Sequence, residues 1–144
     1  MGDKSEKLQP HLAPLYDSLE FLMDCSRQQA IAELETLELQ GKFKMEAISH
    51  MRGRSFHKTL LIIDEAENLD IPSFKTILTR AGKDSRIIIL SDDEQIDNPK
   101  VSSLTNGTSL LKERLVGEKL YGYVELPNSV RSPFTELAIK LMKS

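Results

Sequence analysis

Asp64 and Glu65 are two adjacent carboxylates that directly follow the aliphatic run 60–63. Four consecutive aliphatic residues are typical of a central parallel strand that is buried on both faces. In open α/β sheets, ligands bind just outside the carboxyl ends of the strands. An Asp at this point can hold Mg²⁺ indirectly beside nucleotide phosphates, and a neighbouring Glu can polarise the attacking water. The alternative is a buried strand that leaves its sheet through an ordinary polar turn.

A second acidic turn, 91–99, follows another aliphatic run, 86–90, and a helical segment connects the two runs. A right-handed strand–helix–strand crossover would bring both turns to one edge of the sheet. The side chains that would meet there are Asp64, Glu65, Asp92 and Gln95. This convergence favours a functional site more strongly than either acidic turn does alone.

Three arginines are candidate phosphate ligands. Arg52 and Arg54 flank Gly53 just before the first aliphatic run, and Arg80 lies in the last turn of the connecting helix. Arginine binds phosphate oxygens with two parallel hydrogen bonds, and glycine lets the backbone approach closely. The alternative for Arg52 and Arg54 is that both are ordinary solvated surface residues. The alternative for Arg80 is that its positive charge complements the helix dipole.

The remaining elements are predicted from hydrophobic period and capping residues. Residues 1–41 form a helical lead-in, and residues 42–144 form an α/β core of a single domain. The predicted helices cover about 11–24, 26–40, 71–82, 110–117 and 132 onwards, with Ser26, Asp70 and Ser132 as N-caps. The predicted strands cover about 43–48, 59–63, 86–90 and 121–126.

Composition excludes several classes of protein. The chain has 144 residues, 40% of them hydrophobic, with a net charge of −3, so no overall basic field attracts nucleic acid. The single cysteine, Cys25, excludes an internal disulfide and fits a reducing compartment. No apolar run approaches membrane-spanning length, and the three histidines have no metal-ligand spacing. We therefore expect a cytoplasmic protein without a membrane partner.

Several segments together resemble the PhoH-like ATPase family. They are His-Met-Arg-Gly-Arg-Ser-Phe (50–56), Leu-Leu-Ile-Ile-Asp-Glu-Ala-Glu-Asn (60–68), Leu-Thr-Arg-Ala-Gly (78–82), Ser-Asp-Asp-Glu-Gln-Ile-Asp-Asn-Pro (91–99) and Val-Arg-Ser (130–132). The opening segment 2–17 is also similar, so the resemblance covers nearly the whole chain in order. It implies a RecA-like P-loop NTPase with a three-layer parallel sheet, and ATP-dependent work on RNA by a ring-forming homo-oligomer.

The resemblance also implies roles for single residues. Asp64 would be the Mg²⁺-linked acid of the Walker B motif, and Glu65 would polarise water. Asp92 and Gln95 would sense the γ-phosphate, and Arg131 would be an arginine finger. Arg52, Arg54 and Arg80 lie in family motifs and would be cofactor-binding.

Two substitutions depart from the family pattern. Ser91 stands where glycine is usual, so the backbone approach there would be tighter or shifted. Glu67 stands where glutamine is common, and it would add negative charge near the phosphates.

The main departure is that no Gly-x-x-x-x-Gly-Lys-Ser/Thr segment occurs. The pair Gly41-Lys42 does not complete this motif, because Phe43 follows it where Ser or Thr is required. That P-loop cradles the phosphates of ATP–Mg²⁺. We therefore expect the C-terminal part of a PhoH-like ATPase, complete only with a P-loop supplied from elsewhere, for example by a partner chain. The alternative is a non-catalytic remnant that binds protein or RNA.

In the RecA-like strand order that the resemblance implies, the missing P-loop strand would leave a gap in the middle of the sheet. For a chain folded alone, we expect the strand at 121–126 to pair directly with 86–90. The other outcomes are a strand donated by a partner subunit and an open slot beside 86–90.

Overall fold

The computed structural model describes residues 4–102, 105–127 and 132–142. The described part contains the helices α1 (Lys4–Met23), α2 (Arg27–Leu39), α3 (Ile71–Leu78), α4 (Gly107–Arg114) and α5 (Pro133–Met142), and the strands β1 (Leu60–Ile63) and β2 (Arg86–Ile89). Short 3₁₀ helices cover Ile48–Met51 and Ala66–Asn68. The chain separates into two compact units, Met1–Ser55 and Phe56–Ser144. The described chain is thus α/β, and the prediction of one domain stays a prediction.

The first unit is built on α1 and α2. Ser26 caps α2 as predicted: the Gln29 N–H donates to its hydroxyl, and the Gln29 side chain accepts from the Ser26 N–H. This reciprocal capping box satisfies two N–H groups at the start of the helix. Ala30 and Leu34 form the buried face of α2. Helix α1 is longer than predicted, since it begins at Lys4 instead of near residue 11.

The strand predicted at 43–48 is wrong. Residues 43–47 form no regular element, and the 3₁₀ helix begins at Ile48. Alternating polarity produces a strand only where a neighbouring strand supplies hydrogen bonds, and no such neighbour pairs with this segment in the described part of the chain.

The second unit contains a two-stranded parallel sheet, as predicted for 59–63 and 86–90. Leu61 pairs with Ile87, and the Leu90 N–H extends the ladder to the Ile63 carbonyl at 2.8 Å. The prediction that β1 is buried on both faces is wrong. Leu60 and Ile62 are 54% and 62% exposed, whereas alternate residues are half-buried. Burial of both faces requires covering elements on both sides, and here one face is open.

The predicted third strand is also wrong. The described residues 121–127 form no strand, and β2 pairs with β1 alone in the sheet that the structure describes. The expected pairing of 121–126 with 86–90 therefore does not form, and Val124 and Leu126 stay exposed. The apolar pattern of 121–126 has strand character, but a strand needs a ladder partner.

Helices α3 and α4 pack closely together. Asp70 caps α3 as predicted by accepting the Ser73 N–H at 2.8 Å, and Phe74 and Ile77 are its buried residues. Gly107, the first residue of α4, lies directly against the Phe74 ring. Ser132 accepts the Thr135 N–H at 3.2 Å, as its predicted capping role requires. In the part of the chain that the structure describes, every helix is too short or too polar to be a candidate membrane span.

Candidate functional site

An open cleft of about 340 Å³ lies at the carboxyl ends of β1 and β2. Because the strands are parallel, their acidic turns leave the sheet side by side, and the Ala66 N–H bonds to the Leu90 carbonyl at 3.0 Å. The residues that line the cleft are Asp64, Glu65, Glu67, Leu90, Ser91, Asp92 and Gln95. The structure thus brings together the four residues that the crossover argument placed at this edge.

Asp64 and Glu65 form one side of the cleft and are both exposed. The Glu65 N–H donates to Asp64 Oδ1 at 3.0 Å, which orients the aspartate. Glu65 has a left-handed backbone conformation, with φ 51° and ψ 39°. This conformation is costly for a residue with a Cβ, and such strain concentrates at functional sites. The turn therefore holds the Glu65 side chain in a direction that a relaxed backbone would not give it.

Asp92 and Gln95 form the opposite side. Asp92 accepts the Glu94 N–H at its Oδ1 atom and the Gln95 side-chain amide at its Oδ2 atom, at 3.0 and 2.6 Å. The Gln95 N–H also bonds to the Asp92 carbonyl at 2.9 Å. Asp92 and Gln95 are therefore one hydrogen-bonded unit.

Glu67 forms the floor of the cleft and is only 3% exposed. Its Oε2 atom accepts the Asp92 N–H at 3.0 Å, and its Oε1 atom accepts from the Asn68 side chain at 3.2 Å. The sequence predicted an added charge near the phosphates. The structure shows a buried carboxylate that connects the two acidic turns.

Asn68 is a residue of this site that sequence reasoning missed. Its Oδ1 atom accepts the N–H groups of Asp97 and Asn98 at 2.8 and 3.0 Å, and the Asn98 side chain donates to the Asn68 carbonyl at 2.8 Å. These contacts join residues 29 or 30 positions apart. No local sequence signal predicts such contacts.

Ser91 connects the cleft to α4. Its hydroxyl donates to the Thr108 hydroxyl at 3.3 Å, which donates to the buried Asn106 side chain at 2.8 Å. Asn106 also caps α4 by accepting the Ser109 N–H. The serine at this position therefore has a local partner that a glycine would lack.

Arg80, the candidate arginine of the second unit, is not among the residues that line the cleft. Arg52 is exposed and Arg54 forms an ion pair with Glu46, both in the first compact unit. Arg80 belongs to the second unit, where its carbonyl accepts the N–H of Phe56, ahead of β1. It therefore lies toward the amino ends of the strands, opposite the cleft. Arg131 lies outside the described residues.

The cleft suits a cation better than a polyphosphate. Four of its seven lining residues are acidic, and none of the seven is cationic. Among the described residues, no group of three or more His, Cys, Asp or Glu side chains could hold a metal ion by itself. Mg²⁺ commonly keeps several water ligands and uses one or two carboxylates, so Asp64 fits an indirect role. Nucleotide phosphates do not fit these seven residues without cationic or N–H groups from another segment.

Comparison with known proteins gives the family. The family model described as PhoH-like protein matches residues 1–143. Protein PhoH2 of Bacillus subtilis is 40% identical over 142 residues, covering 98% of this chain and 31% of that protein. Protein PhoH2 of Mycolicibacterium smegmatis is 32% identical over 142 residues, covering 99% of this chain and 31% of that protein.

A further relative, the PhoH-like protein of Bacillus subtilis, is 33% identical over 141 residues, which is 96% of this chain and 42% of that protein. The chain thus spans only about a third of the length of the PhoH2 relatives. These matches agree with the motifs around the cleft, and the chain belongs to the PhoH family.

Proposed function

We propose that this chain supplies the acidic half of an ATP-hydrolysing site, in a RecA-like PhoH ATPase whose phosphate-binding P-loop comes from another segment. One observation carries the proposal. Two acidic turns that are 28 positions apart (64 to 92) leave neighbouring parallel strands and face one cleft. Ligands of open α/β sheets bind at this edge. Family membership supports a nucleotide-binding role for the cleft.

The chain's own residues then have distinct roles. Asp64 would hold Mg²⁺ indirectly, and the bound ion would neutralise charge on the phosphates. Glu65 would orient and polarise the attacking water. Asp92 and Gln95, already bonded to each other, would face the γ-phosphate as one unit.

The arginines have separate proposed roles. Arg131 would stabilise charge in the transition state, in cis or across a subunit contact of a homo-oligomer. Arg52 and Arg54 would be cofactor-binding residues that hold phosphate oxygens. Arg80 has no support as a nucleotide ligand, given its place toward the amino ends of the strands.

A chimera tests the proposal. In it, this chain replaces the matching 142 residues of Bacillus subtilis PhoH2, to which it is 40% identical. We expect Mg²⁺-dependent ATP hydrolysis at a rate comparable with that of the parent, and loss of at least ~10²-fold in the Asp64→Asn chimera. Asp84→Asn, an exposed acidic residue before β2, is the matched control and should keep the rate. An Asp64→Asn chimera that hydrolyses ATP normally would refute the site.

One observation favours a second function. The open face of the sheet exposes Leu60, Ile62, Ile88 and Leu90, by 44% to 62%. A non-catalytic module that binds protein or RNA is the alternative to the ATPase. A chimera that is folded but inactive, from an active parent, would favour this second function.

A further inference from the structure

Glu67 is a buried carboxylate whose hydrogen bonds run between the two acidic turns. It is 3% exposed, and its two oxygens accept from Asp92 N–H and from the Asn68 side chain. Placing a carboxylate in a buried position is costly unless hydrogen bonds compensate it. Here one of those bonds goes to the backbone of Asp92, a residue of the proposed site, and so sets the start of the second turn.

Asn68 holds the other end of the same turn. It accepts the N–H groups of Asp97 and Asn98, and its own carbonyl accepts from the Asn98 side chain. Glu67 and Asn68 therefore bind residue 92 on one side and residues 97 and 98 on the other. The segment between these points carries the exposed side chains of Asp92 and Gln95.

We propose that Glu67 and Asn68 are positioning residues that hold residues 92–98 of the second acidic turn next to the Asp64–Glu65 turn. Both turns can then contact one ligand. This inference rests on the proposed ATPase function and deepens it. Neither residue needs to touch the ligand. Both follow Glu65 within three positions, so a shift of either acidic turn is transmitted directly to the other.

The chemistry of the contacts explains which side chains can do this. Position 67 needs an oxygen acceptor for the Asp92 N–H, because this partly buried N–H loses its hydrogen bond when the acceptor is removed. Glutamine keeps one such oxygen, whereas leucine has similar bulk and none. Position 68 needs an acceptor for two neighbouring N–H groups, which alanine cannot supply.

Amide hydrogen exchange of the 144-residue chain, read by NMR, tests the positioning without nucleotide. We expect Glu67→Leu to accelerate exchange of the Asp92 amide by at least ~10-fold, while the amides of Asp97 and Asn98 change by less than ~3-fold. Asn68→Ala should accelerate exchange of the Asp97 and Asn98 amides by at least ~10-fold and change that of the Asp92 amide by less than ~3-fold. Glu67→Gln should restore the protection of Asp92.

Glu118→Leu is the matched control, because it makes the same change at an exposed position outside the cleft. It should leave all three amides unchanged. Equal acceleration of all three amides in both site variants would show general destabilisation and overturn the proposal. So would an unchanged Asp92 amide in Glu67→Leu.

Titration with Mn²⁺ alone, as a paramagnetic stand-in for Mg²⁺, tests the shared ligand. In the wild-type chain we expect selective broadening of the amides of both acidic turns. In Glu67→Leu, broadening should persist at 64–65 and be lost at 92–95, and Glu67→Gln should recover it. Equal broadening at 92–95 in the leucine variant would overturn the proposal. If wild-type amides show no broadening while the exchange pattern holds, the positioning by Glu67 and Asn68 stands, the claim that both turns contact one cation is refuted, and the chimera alone decides the proposed ATPase site.

Discussion

Glu65 occupies a left-handed backbone conformation beside Asp64. Asparagine adopts this conformation more readily than glutamate. We expect Glu65→Asn to raise the free energy of unfolding by about 0.5–1 kcal/mol, because the native backbone is less strained. Urea unfolding of the chain measures this. Glu118→Asn, at a residue without positive φ, is the control and should bring no gain; a less stable Glu65→Asn chain would contradict the strain argument.

The same residue has a proposed chemical role. In the PhoH2 chimera, we expect Glu65→Gln to lower the rate of ATP hydrolysis by ~10²-fold or more, which is the usual contribution of a positioned general base. Affinity for ATP should change by less than ~3-fold, because the role of Glu65 concerns the water and not the bound phosphates. Normal turnover by this variant would remove the water-polarising assignment.

Gly107 determines how closely α3 and α4 pack. A Cβ atom at this position would overlap the ring of Phe74, which is 2% exposed. We expect Gly107→Ala to lower the free energy of unfolding by about 1–3 kcal/mol, since the buried ring cannot move away without cost. Denaturant unfolding is the measurement.

Gly122→Ala is the matched control for Gly107→Ala. No atom lies within 4 Å of a Cβ built at Gly122, so Gly122→Ala should change the free energy of unfolding by no more than about 0.5 kcal/mol. Equal effects of the two alanines would contradict the packing argument.

Lys112 ties α4 to the second acidic turn. Its Nζ atom donates to Asp93 at 2.8 Å and lies 5.2 Å from the centroid of the Tyr123 ring. The hydrogen bond to Asp93 raises the pKa of Lys112 above its usual 10.5, and partial burial opposes this.

The direction of that shift fixes a pH dependence. A pKa raised by folding adds stability that is complete below the unfolded value of 10.5 and is lost as pH rises through the folded value. We expect Lys112→Met to cost at most about 1 kcal/mol at pH 7, because both partners are partly exposed. This cost should shrink above pH 10.5. Thermal unfolding at several pH values measures this cost, with Lys119→Met as the control. A cost of Lys112→Met that grows with pH would contradict the pairing with Asp93.

At the scale of the whole molecule, the acidic lining of the cleft limits what the isolated chain can bind. No cationic residue is among the seven that line it. We expect no saturable ATP–Mg²⁺ binding by calorimetry below about 1 mM, an affinity of roughly −4 kcal/mol. The chimera should bind more tightly, because its partner segment would supply phosphate ligands. Tight binding by the isolated chain, weakened by Asp64→Asn, would show that the cleft suffices.

Local physics allowed much of this chain to be predicted. The aliphatic runs specified β1 and β2, because apolar β-branched residues favour strands, and Ser26 and Asp70 specified helix starts by capping free N–H groups. The spacing of strand, helix and strand then placed Asp64 beside Asp92, since a parallel pair needs one crossover.

Tertiary structure decided what depends on distant partners. Residues 43–48 and 121–126 have strand-like patterns, but neither finds a ladder neighbour among the residues that the structure describes, so neither becomes a strand. The sheet keeps one open face because covering it needs elements beyond the strands themselves. The role of Glu67 also required the folded chain: its bond to Asp92 spans 25 positions, and no periodicity or capping rule reaches so far.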